Sequence, residues 1–294
     1  MRNDLLAGKV ALVAGATRGA GRAIAVCLGE AGATVYVTGR STRASRSAMN
    51  RPETIEETAE LVTARGGVGI PVQVDLTVEE QVISLFERVR QEQEGRLDLL
   101  VNDVWGGDPL TEWGKPFWEL SLEKGLQMQA QAVHSHMMLS RYGAPLMVER
   151  DQGLIIEITD GDSYDYRGNN FYSLAKISAI HLAEAMAADL KSRDLNITAL
   201  SLTPGFLRSE AMLELFGVTE DNWQAGAEQE PHFIASETPY YLGRAVVALA
   251  SDPLVNQKSG QALSTWGLVE EYGFQDIDGR QPHWGRYYAE HVKK

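Results

Sequence analysis

Cysteine is nearly absent: Cys27 is the only one in 294 residues, so no disulfide can close within the chain. Set among apolar residues of a predicted helix, it reads as core filler. No apolar run reaches the roughly 18 residues that a membrane helix requires. The amino-terminal stretch MRNDLLAGKVALVAGATRG meets an acid early and is broken at Gly15, which does not suit a signal segment. A cytoplasmic location and no membrane partner are therefore expected. Positive charge is scarce as well. With 27 Lys and Arg against 40 Asp and Glu, the formal charge of −13 argues against a nucleic-acid surface, which needs clustered cations for phosphate contacts. Of six histidines, His134 and His136 are two apart and point to different helical faces, so no metal site is expected. Linkers, repeats and low-complexity runs are missing too, which predicts one domain over residues 1–294.

What is present is an alternation of short apolar runs with longer helical patterns, the signature of strand–helix–strand units. KVALVAG (9–15), TVYVTG (34–39), GIPVQVDL (69–76), LDLLVN (97–102), GLIIEIT (153–159), NITALSL (196–202) and GQALST (260–265) read as strands. They predict a doubly wound, Rossmann-type α/β parallel sheet with helices on both faces. Thr77 and Glu80 have capping-box spacing ahead of a helix that would bury Val82, Leu85, Phe86 and Val89. Helices are expected over about 118–147 and 172–191. Residues 205–240, irregular and acidic, are expected to form a mobile substrate lid.

AGATRGAG (14–21) places Gly15, Gly19 and Gly21, with Thr17, Arg18 and Ala20 between them, where the first strand meets the first helix. Glycines there let the backbone turn sharply and approach a pyrophosphate, whose charge is met by free amides and the helix dipole. The second strand ends in Thr38, Gly39 and Arg40, with no carboxylate to take ribose hydroxyls. Arg40, with Arg18 on the same side, suits a 2′-phosphate, so NADP(H) is expected in preference to NAD(H).

These residues, together with YSLAK at 172–176, resemble the short-chain dehydrogenase/reductase family over roughly residues 8–265. The family's Gly-x-x-x-Gly-x-Gly falls on Gly15, Gly19 and Gly21, and its adenine-contacting Asp on Asp75, followed by Leu76. Its catalytic pair falls on Tyr172 and Lys176, and its turn beside the nicotinamide on Pro204 and Gly205, with Ser209 for the usual Thr. A narrower likeness, to the group called dehydrogenase/reductase short-chain family member 1, lies in EQEGRLDLLVN, KPFWE, YGAPLMV, DPLVNQKSGQAL and the tail YGFQDIDGR, part of an extension over about 266–294. The resemblance implies carbonyl reduction or secondary-alcohol oxidation and a homodimer or homotetramer paired through helices near 120–147 and 172–191.

Three positions depart from the family pattern. The usual Asn-Asn-Ala-Gly is Asn102, Asp103, Val104 and Trp105; the helical asparagine aligns with Ala132; and the serine position falls on Asp160, with Thr159 before it. In the implied mechanism Tyr172 moves the proton, aided by Lys176 four residues along the same helical face. An ionised Asp160 would oppose a developing oxyanion. Three readings follow: Asp160 stays protonated and donates, Thr159 or Ser163 supplies the hydroxyl, or the site binds cofactor and does little chemistry.

Overall fold

The computed structural model describes residues 4–47 and 50–292. In chain order it contains β1 (Val10–Ala14), α1 (Gly19–Glu30), β2 (Thr34–Gly39), α2 (Ile55–Ala64), β3 (Val68–Gln73), α3 (Glu79–Glu92) and β4 (Leu99–Asn102). There follow α4 (Leu122–Gln129), a π-helical turn over Ala130–His134, α5 (Ser135–Val148), β5 (Gly153–Ile158), α6 (Asn170–Lys191) and β6 (Ile197–Thr203). The chain continues with α7 (Glu210–Leu215), α8 (Pro239–Ser251), β7 (Ala262–Ser264), α9 (Thr265–Tyr272) and α10 (Trp284–His291).

The strands form one parallel sheet in the order β3-β2-β1-β4-β5-β6-β7. Strand side chains alternate between the two faces, and both faces are dry, which is why the central strands are apolar throughout. Ala11 and Val13 of β1 join a core with Ile24 and Leu28 of α1 and Leu242 and Val246 of α8. Val10, Leu12 and Ala14 join the other core, with Phe86 of α3, Leu139 of α5 and Leu190 of α6. Cys27 packs in the first core, where burial pushes its thiol up to about 12. The strand order reverses between β1 and β4, so a crevice opens at their carboxyl ends.

Two local expectations are corrected. The capping box does not form: α3 starts after Val78, so Thr77 lies one residue too early to cap it, and its hydroxyl donates to Asp75 Oδ1 at 2.7 Å. Residues 205–240 are not irregular. Besides α7 they hold two 3₁₀ turns, Trp223–Glu228 and Pro231–Ala235, packed through Phe206, Phe216 and Trp223 onto the buried Phe233. Arg208, fully buried, binds Glu220 at 3.0 Å and Asp278 at 3.4 Å and lies 4.2 Å over the Trp223 ring. The acidic composition of this stretch concealed the apolar anchors that order it.

Beneath the segment lies Glu237, fully buried. Its Oε2 accepts from the Gly205 amide at 3.0 Å and from the Thr265 hydroxyl at 2.8 Å, while Oε1 has no hydrogen-bond partner among the described residues. Burial, with Asp276 adding to it, pushes its carboxyl up to about 8 from an ordinary 4.5. A folded state that holds this proton up to pH 8, while the unfolded chain releases it near 4.5, loses stability as pH rises across that window. Glu237→Gln, which has no proton to lose, should therefore melt above wild type by a margin that widens from pH 5 to pH 8; a constant margin in thermal scans would refute the assignment.

Candidate active site

The crevice is lined from four directions. On the β1 side, Gly15 has φ +80° and a Cβ there would stand 2.4 Å from the Asp103 carbonyl oxygen; a Cβ at Gly21 would stand 2.5 Å from the Gly15 oxygen. Only glycine permits this turn to lie against the end of β4. Gly19, with φ +56°, opens the first turn of α1 outward, and its amide donates to Glu210 Oε2 of α7 at 2.9 Å. A carboxylate thus stands where the helix amides would meet phosphate, so the donor set suits an anion. Thr17 is buried and its side chain abuts Gly39, whose missing Cβ makes room for it. Ala20 is half-buried beside the core.

At the end of β2, Arg40 is exposed and its guanidinium lies 3.9 Å from Asp75 Oδ2; Leu76 is buried beneath. Arg18 precedes α1 and donates to Ser47 Oγ at 3.4 Å. The two arginines and Asp75 therefore flank one end of the crevice. Asn102, expected among the cofactor contacts, turns inward instead. Its amide donates to Glu157 Oε1 at 2.7 Å and to Ser140 Oγ at 3.0 Å. Glu157 Oε2 lies 2.6 Å from His136 Nδ1, and His136 Nε2 lies 3.1 Å from the Val104 carbonyl. Because that carbonyl only accepts, Nε2 carries a proton, and a second proton must lie between Nδ1 and the carboxylate. This buried chain fixes the backbone from which Trp105 projects. A glutamate inside the apolar run GLIIEI was its signal in the sequence.

The Tyr172 and Lys176 side chains sit where β5 ends and α6 begins. Asn169 caps α6, its side chain accepting from the Tyr172 amide at 3.0 Å, and so fixes the first turn that carries Tyr172. The Tyr172 hydroxyl donates to Asp160 Oδ2 at 2.7 Å. Burial raises the Tyr172 hydroxyl well above its usual range, and the Asp160 charge adds to the shift. The Lys176 ammonium lies 3.9 Å from the centre of the Trp105 ring, and burial lowers its proton affinity. Trp105 meets Tyr172 edge-on at 5.2 Å, and Trp113 lies on Tyr172 at the same separation.

The two alternative hydroxyls are engaged elsewhere. Thr159 Oγ1 donates to the Lys176 carbonyl at 2.6 Å, and Ser163 Oγ to Asp165 Oδ2 at 2.9 Å. Arg167 holds the 160–167 loop in shape by donating to the carbonyls of Asp160, Ser163 and Asp165 at 2.5, 2.5 and 2.7 Å. Of the three candidates, only the Asp160 side chain meets the Tyr172 hydroxyl. On the fourth side, the Thr203 hydroxyl accepts from the Gly161 amide at 2.7 Å and donates to the Pro204 carbonyl at 2.9 Å, tying this loop to the Pro204–Gly205 turn. Tail residue Trp284 seals Gly205, where an added Cβ would stand 2.6 Å from Trp284 Cβ.

A glycine turn at a parallel-sheet switch point, with a Tyr–Lys pair at the end of β5, defines a dinucleotide oxidoreductase scaffold. The short chain dehydrogenase family model matches residues 9–217, and the chain belongs to that family. It is 36% identical over 277 residues to dehydrogenase/reductase SDR family member 1 of Mus musculus, covering 93% of this chain and 84% of that one. It is also 27% identical to the 7alpha-hydroxysteroid dehydrogenase of Escherichia coli strain K12, over 90% of this chain and 95% of the other. Among solved structures, a hydroxysteroid dehydrogenase from Escherichia coli superposes with a TM-score of 0.71 at 26% identity, covering 90% of this chain and 98% of that chain. A short chain dehydrogenase from Mycobacterium thermoresistibile, at 22% identity, shares the fold with a TM-score of 0.78, over 95% and 92% of the two chains.

Family membership implies a nicotinamide dinucleotide, and the glycine turn with the outward amide of Gly19 fits one. Glu210 was not foreseen, because nothing in its local sequence marks it as reaching α1 from 191 residues away. Its carboxylate would compete with a phosphate for that amide. Glu210→Ala should therefore tighten dinucleotide binding by about two- to fivefold at low salt, the effect of about 0.3 to 1 kcal/mol for one charge at a helix terminus. Calorimetric titration showing equal or weaker binding would count against the competition.

Proposed function

We propose that the protein is an NADP(H)-dependent oxidoreductase that reduces a carbonyl compound or oxidises a secondary alcohol, with Tyr172 and Lys176 at the reacting centre. The observation that carries this reading is the convergence of the Tyr172 hydroxyl, the Lys176 ammonium and the glycine turn on one crevice. When bound, the nicotinamide supplies or accepts hydride. Gly15, Thr17, Gly19, Ala20 and Gly21 would hold the pyrophosphate, Asp75 and Leu76 the adenine end, and Pro204 and Gly205 the nicotinamide end. Tyr172 would hold the substrate oxygen through its hydroxyl, and Lys176 would orient the ribose beside it. Trp105 and Trp113 exclude water from the Tyr172 ring, which strengthens each polar contact made there.

NADP(H) is favoured over NAD(H) because β2 ends without a carboxylate and Arg40 stands free of the core beside Asp75. Residues 205–240, with the tail packed against them, would cover the substrate. Phe117, Trp118, Leu122 and Leu126, large apolar side chains exposed at and before α4, with Leu174 of α6, support pairing of two copies, which light scattering tests. A second reading, a dinucleotide-binding protein with little turnover, is favoured by the Tyr172 hydroxyl being engaged by Asp160.

NADPH consumption over a panel of aldehydes and ketones separates the two. Tyr172→Phe should lower kcat at least a hundredfold, consistent with loss of a general acid, whereas equal rates would sink the enzyme reading. Arg40→Ala should weaken NADPH binding about tenfold or more while sparing NADH, because the lost partner is a charge-assisted phosphate contact; parallel losses would refute the 2′-phosphate role.

A further inference from the structure

The group that meets the Tyr172 hydroxyl is an acceptor, where a site that stabilises an oxyanion would place a second donor. Asp160 accepts from the Tyr172 hydroxyl at 2.7 Å, and Asp108 accepts from Trp105 Nε1 at 2.6 Å on the neighbouring wall. Asp103 lies behind them at the end of β4, where burial pushes its carboxyl up to about 7. Two cations oppose these three acids. Arg167 keeps its charge but is held on the backbone carbonyls of Asp160, Ser163 and Asp165, and Lys176 is faced by the Trp105 ring at 3.9 Å. That ring already makes a cation–π contact, and Trp113 presents a second, exposed aromatic wall to Tyr172. A carboxylate on the Tyr172 hydroxyl, with an indole ring against Tyr172 on either side, offers a cation a counter-charge and an aromatic face together.

We propose that this site prefers a protonated C=N substrate, a cyclic iminium or protonated nitrogen heterocycle, over a ketone, with the Asp160 carboxylate pairing with the substrate nitrogen. The inference rests on the reading of the crevice as a hydride-transfer site and names the substrate class. With a reduced nicotinamide dinucleotide as the hydride source, a C–H bond forms at the imine carbon and the C=N π pair moves onto nitrogen. The positive charge is neutralised, and the product is an amine. The substrate brings its own proton on nitrogen, so no group of the protein has to ionise for the step to balance. With a ketone the same hydride leaves a full negative charge on oxygen beside Asp160, and a proton must come from a Tyr172 hydroxyl that is reluctant to ionise. Electrostatic catalysis requires charges placed to match what develops in the transition state. Asp160 matches the cationic substrate and opposes the alkoxide.

The test compares 3,4-dihydroisoquinoline with 1-tetralone, a ketone of the same bicyclic size, as substrates with NADPH, in wild type and Asp160→Ser. Wild type is expected to reduce the imine with kcat/KM at least tenfold above the ketone, and Asp160→Ser to reverse that order. A second readout needs no turnover: quenching of tryptophan fluorescence by N-methyl-3,4-dihydroisoquinolinium should give at least tenfold tighter binding to wild type than to Asp160→Asn, with 1-tetralone binding unchanged. Reduction of the ketone in preference to the imine, or equal binding of the cation to Asp160→Asn, would overturn the proposal and leave the reductase reading intact. Reduction of neither compound, with the dinucleotide shown to bind, would overturn both.

Discussion

The site depends on one backbone contact, the approach of the Gly15 turn to the Asp103 carbonyl, so close that a single Cβ would collide with it. That contact joins the end of β1 to the end of β4 and brings the segment carrying Trp105 across the mouth of the crevice. From there the chain of consequences is short. Trp105 lies over Lys176, Lys176 lies one helical turn from Tyr172, and the Tyr172 hydroxyl meets Asp160. A substitution that separated β1 from β4 at this point would displace Asp103 and, two residues on, Trp105.

Buried charge is handled differently on the two sides of the sheet. Behind β4 and β5, both carboxylate oxygens of Glu157 are met, Oε1 by Asn102 and Ser140 and Oε2 by His136, while Asn102 Oδ1 has no hydrogen-bond partner among the described residues. Below β6, Glu237 has one oxygen fully bonded and the other without a partner among the described residues. The first network stiffens the wall of the crevice at no net charge. The second leaves a single acid whose charge the fold resists, directly under the Pro204–Gly205 turn.

The sheet was legible because its central strands are buried on both faces and therefore read as apolar runs, and the glycine turn because its spacing follows from steric need. Tyr172 and Lys176 were picked out by resemblance to the family, and their four-residue spacing placed them on one face of a helix. The lost capping box shows where such reading ends: Thr77 had the right neighbour three residues on, but α3 starts only after Val78, and the Thr77 hydroxyl meets Asp75, two residues before. The engagements of Thr159 with the Lys176 carbonyl and of Asn102 with Glu157 were equally beyond reach, since each joins residues brought together only by the sheet. So was the order of residues 205–240, whose anchors Phe206, Arg208 and Phe233 are scattered through a polar composition.

Those anchors have a consequence for how the chain can diversify. Trp284 closes over Gly205, Arg280 lies 4.6 Å over the Trp223 ring, and Asp276 accepts from the Thr238 amide at 2.8 Å, so the tail packs against residues 205–240. Two stretches far apart in the gene thus form a single folding surface. Transplanting the 205–240 segment alone into another scaffold would strip Arg208 of Asp278 and Trp223 of Arg280, so the packing of this segment is set jointly by its own residues and by the tail.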